Sequence, residues 1–201
     1  YLFRYKTLET VARIEMPKTL FMNVNPNIIH QKEFAEGFTK QYLQQFSIDA
    51  SRIVFEITEQ QTRGSRDDFI KAVLHYKSQG YHIAIDDAGA GYAGLTLISD
   101  LHPHYIKLDM ELIRNIDRDH IKQALVKSMC EFASLTQTSL IAEGIETEQE
   151  LEKLIEFGVT YGQGYFIQRP DARILPIRSE ILNLILTANE RKNRFFNTKI
   201  Y

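Results

Sequence analysis

The 201-residue sequence has only one cysteine, no long apolar run and almost no net charge. The single cysteine, Cys130, excludes an internal disulfide framework and fits a reducing compartment. Without a membrane-length apolar stretch or a signal peptide, the chain is expected to form a soluble domain. A formal charge of −2 gives no electrostatic support for a DNA or RNA polymer, or an anionic membrane, as the main partner.

An initiating methionine, internal repeats, low-complexity tracts and interdomain linkers are also absent. The chain starts at Tyr1, which suggests a segment of a longer polypeptide. Its 44% hydrophobic residues are enough for a substantial core. We therefore expect residues 1–201 to form a single domain that is incomplete at its N-terminus.

Six short apolar runs, rich in β-branched and aromatic residues, have the length of strands. They cover residues 20–25, 53–58, 82–87, 105–109, 139–144 and 162–167. Helical patterns lie between most of them. Residues 67–80 end at Gly80, and residues 147–158 start with the capping box Thr147 and Glu150 and end at Gly158. Residues 178–196 read as a further amphipathic helix.

This alternation predicts an α/β protein with a mainly parallel sheet, in which the helices are crossovers. A doubly wound nucleotide-binding sheet is disfavoured because the glycine-rich segment 89–94 lies mid-chain and lacks the G-x-G-x-x-G spacing. We favour a barrel, although a complete one has eight strands and roughly 250 residues. The missing part is expected at the N-terminus, since residues 1–19 have helical pattern but no clear first strand.

Polar residues collect near the C-terminal ends of the predicted strands. In a parallel barrel these ends converge on the face that carries active sites. Each residue alone has an ordinary explanation, such as a turn or a helix cap. Carboxylates crowded at one end of a sheet, however, repel one another unless cations are bound. The residues are Asn23, Glu56, Glu59, Asp86, Asp87, Lys107, Asp109, Glu143, Glu146 and Gln163.

Oxygen ligands from Asp, Glu and Asn, without Cys or His, favour Mg²⁺ or Mn²⁺ over Zn²⁺. Asp86 and Asp87 cannot point the same way in a continuing strand, so we expect the strand to bend there. One of the two carboxylates can then bridge two ions. Two ions about 3.5 to 4 Å apart promote phosphodiester hydrolysis by activating water and stabilising the leaving oxygen.

Six ordered motifs between about Leu20 and Pro170 resemble those of the EAL domains, bacterial cyclic di-GMP phosphodiesterases with a modified TIM barrel fold. The motifs are FMNVNP, FEITE, IDDAGAGYAGL, IKLD, IAEGIET and GQGYFIQRP. The resemblance implies hydrolysis of cyclic di-GMP to linear pGpG in a homodimer. It also implies a cytoplasmic output domain, joined to sensor or regulatory domains in a longer polypeptide whose attachment to a membrane is left open.

The resemblance further implies roles for the strand-end residues. Asn23, Glu56 and Asp86 correspond to ligands of the first metal ion, and Asp86 also reaches the second. Asp87 and Glu143 correspond to residues of the second metal site. In the family Glu143 has also been assigned as a base.

Three other roles follow from the same resemblance. Lys107 corresponds to the residue that holds or polarises the attacking water, and Gln163 to a contact with metal and substrate. Glu59 corresponds to the anchor of the loop after the acid pair, which in the family links dimerisation to metal binding.

Two departures from the family pattern support a second interpretation. The Glu-Ala-Leu signature, which supplies a metal ligand on the first strand, has no match in residues 1–19. Ala88 stands where the family usually has Phe, and burial of a Phe side chain is worth roughly 2 to 3 kcal/mol. The alternative is a degenerate EAL domain that binds cyclic di-GMP or a protein partner without hydrolysis.

Overall fold

The computed structural model describes residues 2–13, 19–24, 38–58, 65–88 and 93–198. The strands in these residues are β1 (Leu20–Asn23), β2 (Ile53–Thr58), β3 (His82–Ala88), β4 (Tyr105–Leu108), β5 (Ser139–Ala142) and β6 (Tyr161–Gly162). The helices are α1 (Leu2–Arg13), α2 (Phe38–Gln45), α3 (Arg66–Ser78), α4 (Ala93–Leu101), α5 (Met110–Ile113), α6 (His120–Thr136), α7 (Glu148–Phe157) and α8 (Ser179–Thr198), with a 3₁₀ turn at Ala50–Arg52. None of the described helices has the length and hydropathy needed to cross a membrane.

The strands follow chain order in the sheet, β1-β2-β3-β4-β5-β6. Pairing is parallel between β1 and β2, β2 and β3, β4 and β5, and β5 and β6. Parallel neighbours joined through helices confirm the predicted α/β arrangement. The chain divides into two compact units: the first contains residues 1–86 and 93–104, and the second residues 87–92 and 105–201.

In the first unit, β2 is buried almost throughout. Ile53, Val54, Phe55 and Ile57 have no exposed surface, and Glu56 is the polar exception at 8%. A continuous apolar run of this kind is typical of a parallel strand that is covered on both faces. The ring of Phe55 packs against Tyr81 with centroids 4.7 Å apart.

Helix α3 begins and ends where its sequence predicts. Ser65 caps the first turn by accepting a hydrogen bond from the Asp68 amide at 3.4 Å. At the other end Gly80 has φ +89°, a conformation that glycine adopts without steric cost. The Lys77 ammonium then donates to the carbonyl oxygens of Leu101 and His102, both at 2.8 Å, and so caps the end of α4.

His104 joins the segment after α4 to β3. Its backbone N–H donates to the Ile83 carbonyl at 3.0 Å, and its ring Nδ1 accepts from the Ile83 N–H at 3.1 Å. The ring also stacks on His82 with centroids 4.1 Å apart. Burial, together with the charges of His82 and Lys77, lowers the pKa of His104 to about 4, so the ring is neutral at pH 7.

In the second unit, helix α7 is defined by both predicted caps. Thr147 accepts from the Glu150 N–H at 3.2 Å, and the Glu150 carboxylate accepts from the Thr147 N–H at 3.1 Å. Gly158 ends the helix at φ +93°. Helix α8 packs along α7, where Arg191 pairs with Glu152 at 3.0 Å.

The sixth predicted strand is mostly a turn. Strand β6 contains only Tyr161 and Gly162, and the chain folds back so that the amides of Ile167 and Gln168 donate to the Gly164 carbonyl at 3.1 and 3.0 Å. A Cβ at position 164 would lie 2.2 Å from the backbone nitrogen and oxygen of Ile145. The sequence GQGYFI has the composition of a strand. The close approach of Gly164 to the Ile145 backbone instead places residues 163–167 in a loop.

His104 gives the first unit a predictable acid sensitivity. Its pKa in the folded chain lies below the ordinary value of 6.5, so its stabilising contribution is complete above pH 6.5 and is lost as the pH falls through about 4. In His104→Asn the side-chain oxygen can still accept from the Ile83 N–H but does not titrate. We expect urea unfolding at pH 7 and pH 4 to show a smaller loss of stability for the variant. An equal loss in both proteins contradicts the role of His104.

Candidate active site

In the first unit, three predicted metal ligands share one face of the sheet. Asn23 and Glu56 are direct partners in the register of β1 and β2, and Glu56 is the partner of Ala84 on β3. Side chains two residues apart in a strand point to the same face, so Asp86 lies on the face of Ala84. The strand register therefore places an amide and two carboxylates on one face of the sheet.

The predicted bend occurs at Asp87. This residue has φ +56°, in the left-handed region that residues other than glycine rarely adopt and that Asp tolerates better than most. Beyond the bend, Ala88 is buried and its carbonyl accepts from the Asp109 N–H at 3.3 Å. The backbone conformation therefore changes between Asp86 and Asp87, so the two adjacent carboxylates need not point to opposite faces as they would in a regular strand.

A third carboxylate, that of Glu143, lies close to Asp87 in the acid pair of Asp86 and Asp87. Asp86 and Asp87 offer oxygens within 4.8 Å of each other, and an oxygen of Glu143 lies within 4.8 Å of one on Asp87. Like charges at this spacing repel and favour the binding of a cation. All the donors are oxygens, which suits a hard divalent ion such as Mg²⁺ or Mn²⁺.

In the second unit, Glu143 is held by a buried lysine. The Lys107 ammonium lies 2.8 Å from Glu143 Oε1, and the two side chains are only 7% and 15% exposed. Gln163 donates from Nε2 to the same oxygen at 2.5 Å. The register explains this convergence: Lys107 is the partner of Ile141, two residues before Glu143, and Ile141 is the partner of Tyr161, two residues before Gln163.

Two glycines allow the turns that carry Glu143 and Gln163. Gly144 has φ +67°, and a Cβ there would lie 2.5 Å from the Met110 Cβ. At Gly164 a Cβ would collide with the backbone of Ile145. The Ile145 N–H in turn donates to the Gln163 carbonyl at 3.1 Å, which ties the two turns together.

Two strand-end acids have structural roles. Asp109 caps α5 by accepting from the Glu111 N–H at 2.7 Å. Glu146 pairs with Arg114, whose Nη2 lies 2.7 Å from Glu146 Oε1, and this pair lowers the pKa of the Glu146 carboxyl. Glu59 lies outside the described residues, as does the loop 89–92 that it was predicted to anchor.

Known proteins resemble this chain over most of its length. The model of the EAL domain family matches residues 2–170. The chain belongs to the EAL domain family. Among curated relatives, the cyclic di-GMP phosphodiesterase PdeF of Escherichia coli is 31% identical over 171 residues, which are 84% of this chain and 23% of PdeF.

Two solved structures confirm the fold class. A standalone EAL protein of Vibrio cholerae O395 in its c-di-GMP bound form has a TM-score of 0.80 and 34% identity, covering 90% of this chain and 79% of that one. BlrP1 of Klebsiella pneumoniae in a manganese/cyclic di-GMP complex has a TM-score of 0.76 and 30% identity, covering 85% of this chain and 45% of that one. This EAL chain therefore has part of the predicted TIM-barrel-like α/β fold, and it spans less than half the length of PdeF and BlrP1.

Removal of Lys107 should destabilise the EAL chain even without metal. Lys107→Met leaves Glu143 without its ammonium partner and close to Asp87, and breaking a buried pair costs about 3 to 5 kcal/mol. Gln163→Ala removes one hydrogen bond from an exposed side chain and should cost about 1 kcal/mol. Urea unfolding in EDTA measures both, with Lys127→Met as an exposed lysine control. If Lys107→Met unfolds at the same urea concentration as the control, the ion pair does not stabilise the fold.

Proposed function

We propose that this EAL domain hydrolyses cyclic di-GMP to linear pGpG by a two-metal mechanism. The observation that carries the proposal is the convergence of Asp87, Glu143 and buried Lys107 directly after Asp86. Clustered carboxylates repel one another, and a bound cation relieves that repulsion. PdeF is named a cyclic di-GMP phosphodiesterase, and the two solved relatives are complexes of that dinucleotide.

The proposed ligands divide into two sets. Asn23, Glu56 and Asp86 would hold the first Mg²⁺ or Mn²⁺, and Asp86, Asp87 and Glu143 would hold the second. Asp86 belongs to both sets because it ends the shared face of β1–β3 and precedes the bend at Asp87. When bound, two such ions activate a water and stabilise the leaving oxygen of a phosphodiester.

The remaining side chains position the reacting groups. The Lys107 ammonium orients the attacking water and stabilises the negative charge that develops on the phosphoryl oxygens. Glu143 accepts a proton from that water at a carboxylate oxygen, as a general base. Gln163 fixes the Glu143 carboxylate through its 2.5 Å hydrogen bond and contacts the substrate.

We propose that the domain is the output part of a longer cytoplasmic signalling polypeptide with sensor or regulatory domains. Its relatives support this, since it spans 23% of PdeF and 45% of BlrP1. The single cysteine, Cys130, fits a reducing compartment.

The catalytic proposal is tested by Asp86→Asn in the longest natural polypeptide that carries this domain. The substitution removes the bridging charge, so we expect formation of pGpG from cyclic di-GMP with Mn²⁺ to fall at least 100-fold. Asp100→Asn is the matched control, because Asp100 is a carboxylate on the surface of α4 that pairs with Arg66 at 2.6 Å. Product is measured by chromatography.

Each outcome of this experiment decides between interpretations. Turnover that disappears in Asp86→Asn and persists in Asp100→Asn supports the phosphodiesterase. Undiminished turnover in Asp86→Asn overturns the metal assignment. Cyclic di-GMP binding without turnover in the unmodified protein overturns hydrolysis and supports the alternative, a receptor in which Ala88 has weakened the catalytic loop.

We propose that two copies associate through an exposed stripe on α6. Its apolar members Ile121, Leu125, Phe132 and Leu135 are 73%, 52%, 38% and 80% exposed. Together with Ser128, these residues follow one another at intervals of four, three, four and three positions along the helix. This alternation is the spacing of contact residues in coiled-coil helix pairs. The opposite side of α6 packs inward through Val126 and Ala133.

Leu125→Glu should convert the dimer to a monomer, since it places a charge in the middle of the stripe. Sedimentation velocity at micromolar concentration measures the change. Leu74→Glu is the matched control because Leu74 is a 44% exposed leucine on a different helix, α3. A protein that is monomeric without substitution, or a Leu125→Glu variant that remains dimeric, contradicts this interface.

A further inference from the structure

Glu150 is the most deeply buried carboxylate among the described residues, with 2% of its surface exposed. Its Oε2 accepts from the amides of Glu146 and Thr147 at 2.9 and 3.1 Å. Its Oε1 accepts from the amide of Asn115 at 2.9 Å. We call Glu150 and these three amides the Glu150 cluster. Several N–H donors are what a buried carboxylate requires in place of water.

Only part of this cluster is needed to cap α7. The reciprocal bonds between Thr147 and Glu150 are the capping box. The bond to Asn115 reaches a segment 35 residues earlier in the chain, at the end of the turn that follows β4 and α5. Asn115 has φ +58°, in the left-handed region that Asn adopts more readily than most residues other than glycine.

The Glu150 cluster joins the two turns on which the proposed site depends. One turn follows Lys107 and contains α5, and the other contains Glu143 and Gly144. They touch where Gly144 packs against Met110, and the Glu143 amide donates to the Leu108 carbonyl at 3.1 Å.

A second contact spans the same two turns. Arg114, next to Asn115, forms a two-pronged pair with Glu146, one prong of which is 2.7 Å long. Two contacts therefore connect the same pair of turns. The Arg114–Glu146 pair lies on the exposed side, and the hydrogen bonds of Glu150 lie on the buried side.

We propose that Glu150 is a positioning residue for Glu143. By holding the amides of Glu146 and Thr147 against that of Asn115, it fixes the turn that starts at Glu143, and so the distance from Glu143 to Lys107. The proposal rests on the proposed function, in which Glu143 is a metal ligand and a base. Residues that orient a metal ligand from behind typically change metal affinity or activity 10- to 100-fold when they are replaced.

The test is Glu150→Gln, which keeps the size of the side chain but replaces one acceptor oxygen by a donor that faces backbone N–H groups. We expect Mn²⁺ affinity, measured by titration calorimetry without substrate, to fall about 10-fold. We expect kcat to fall by a similar factor while KM for cyclic di-GMP changes less than twofold. Amide exchange in residues 110–116 and 143–147 should rise together.

Thr147→Ala is the matched control for loss of the α7 cap. It removes the hydroxyl that caps α7 but leaves every amide bond of the Glu150 carboxylate in place. We expect it to lower the urea midpoint without changing Mn²⁺ affinity, or amide exchange in residues 110–116. Glu150→Asp serves if Glu150→Gln does not fold: it keeps the charge but is too short to reach all three amides.

Two results overturn the positioning role. One is wild-type Mn²⁺ affinity and kcat in both Glu150 variants. The other is the same pattern of amide exchange in Glu150→Gln and Thr147→Ala, which makes Glu150 a helix cap alone. If the unmodified protein binds no Mn²⁺ and cleaves no cyclic di-GMP, the proposed function fails instead, and amide exchange still decides whether Glu150 joins the two turns.

Discussion

The ion pair between Lys107 and Glu143 is the constraint on which the rest of the second unit depends. Lys107 lies in β4 between Ile106 and Leu108, which are fully buried, and an ammonium in such surroundings requires a carboxylate partner. The parallel register of β4 and β5 brings this carboxylate close, because Lys107 lies opposite Ile141 and Glu143 follows two residues later on the same face. A slip of one residue would place the two charges on opposite faces. The ion pair therefore fixes the register of the strands, as well as the position of Glu143.

The turns after the strands are shaped to keep that carboxylate in place. Gly144 and Gly164 permit close approaches that a Cβ would prevent. Glu150 and Arg114 then join the turn after β5 to the turn after β4. None of these contacts is made by the side chain of Lys107 or Glu143, yet each limits the freedom of the backbone that carries them. A site that must hold groups to within about half an ångström needs this kind of rigid support.

Much of the fold could be predicted from the sequence because its signals are local. Strand periodicity, the capping box of Thr147 and Glu150, and the glycine at the end of α3 each depend on neighbouring residues, and all are confirmed. The bend at Asp87 also followed from two adjacent acids in one strand. The sixth strand exists, but its predicted bounds were wrong: it ends at Gly162, before Gly164 comes close to Ile145, a contact between residues distant in the chain. Glu150 was recognised only as a cap for the same reason, since its bond to Asn115 comes from another turn.

The formal charges of the proposed site explain why a phosphodiester suits it. Glu56, Asp86, Asp87 and Glu143 carry four negative charges, and Lys107 carries one positive charge, which leaves −3. This excess of negative charge repels an anionic substrate. Two divalent ions reverse the sign to +1, which equals and opposes the single charge of a phosphodiester. In the proposed function, the acids therefore make binding of the substrate depend on binding of metal.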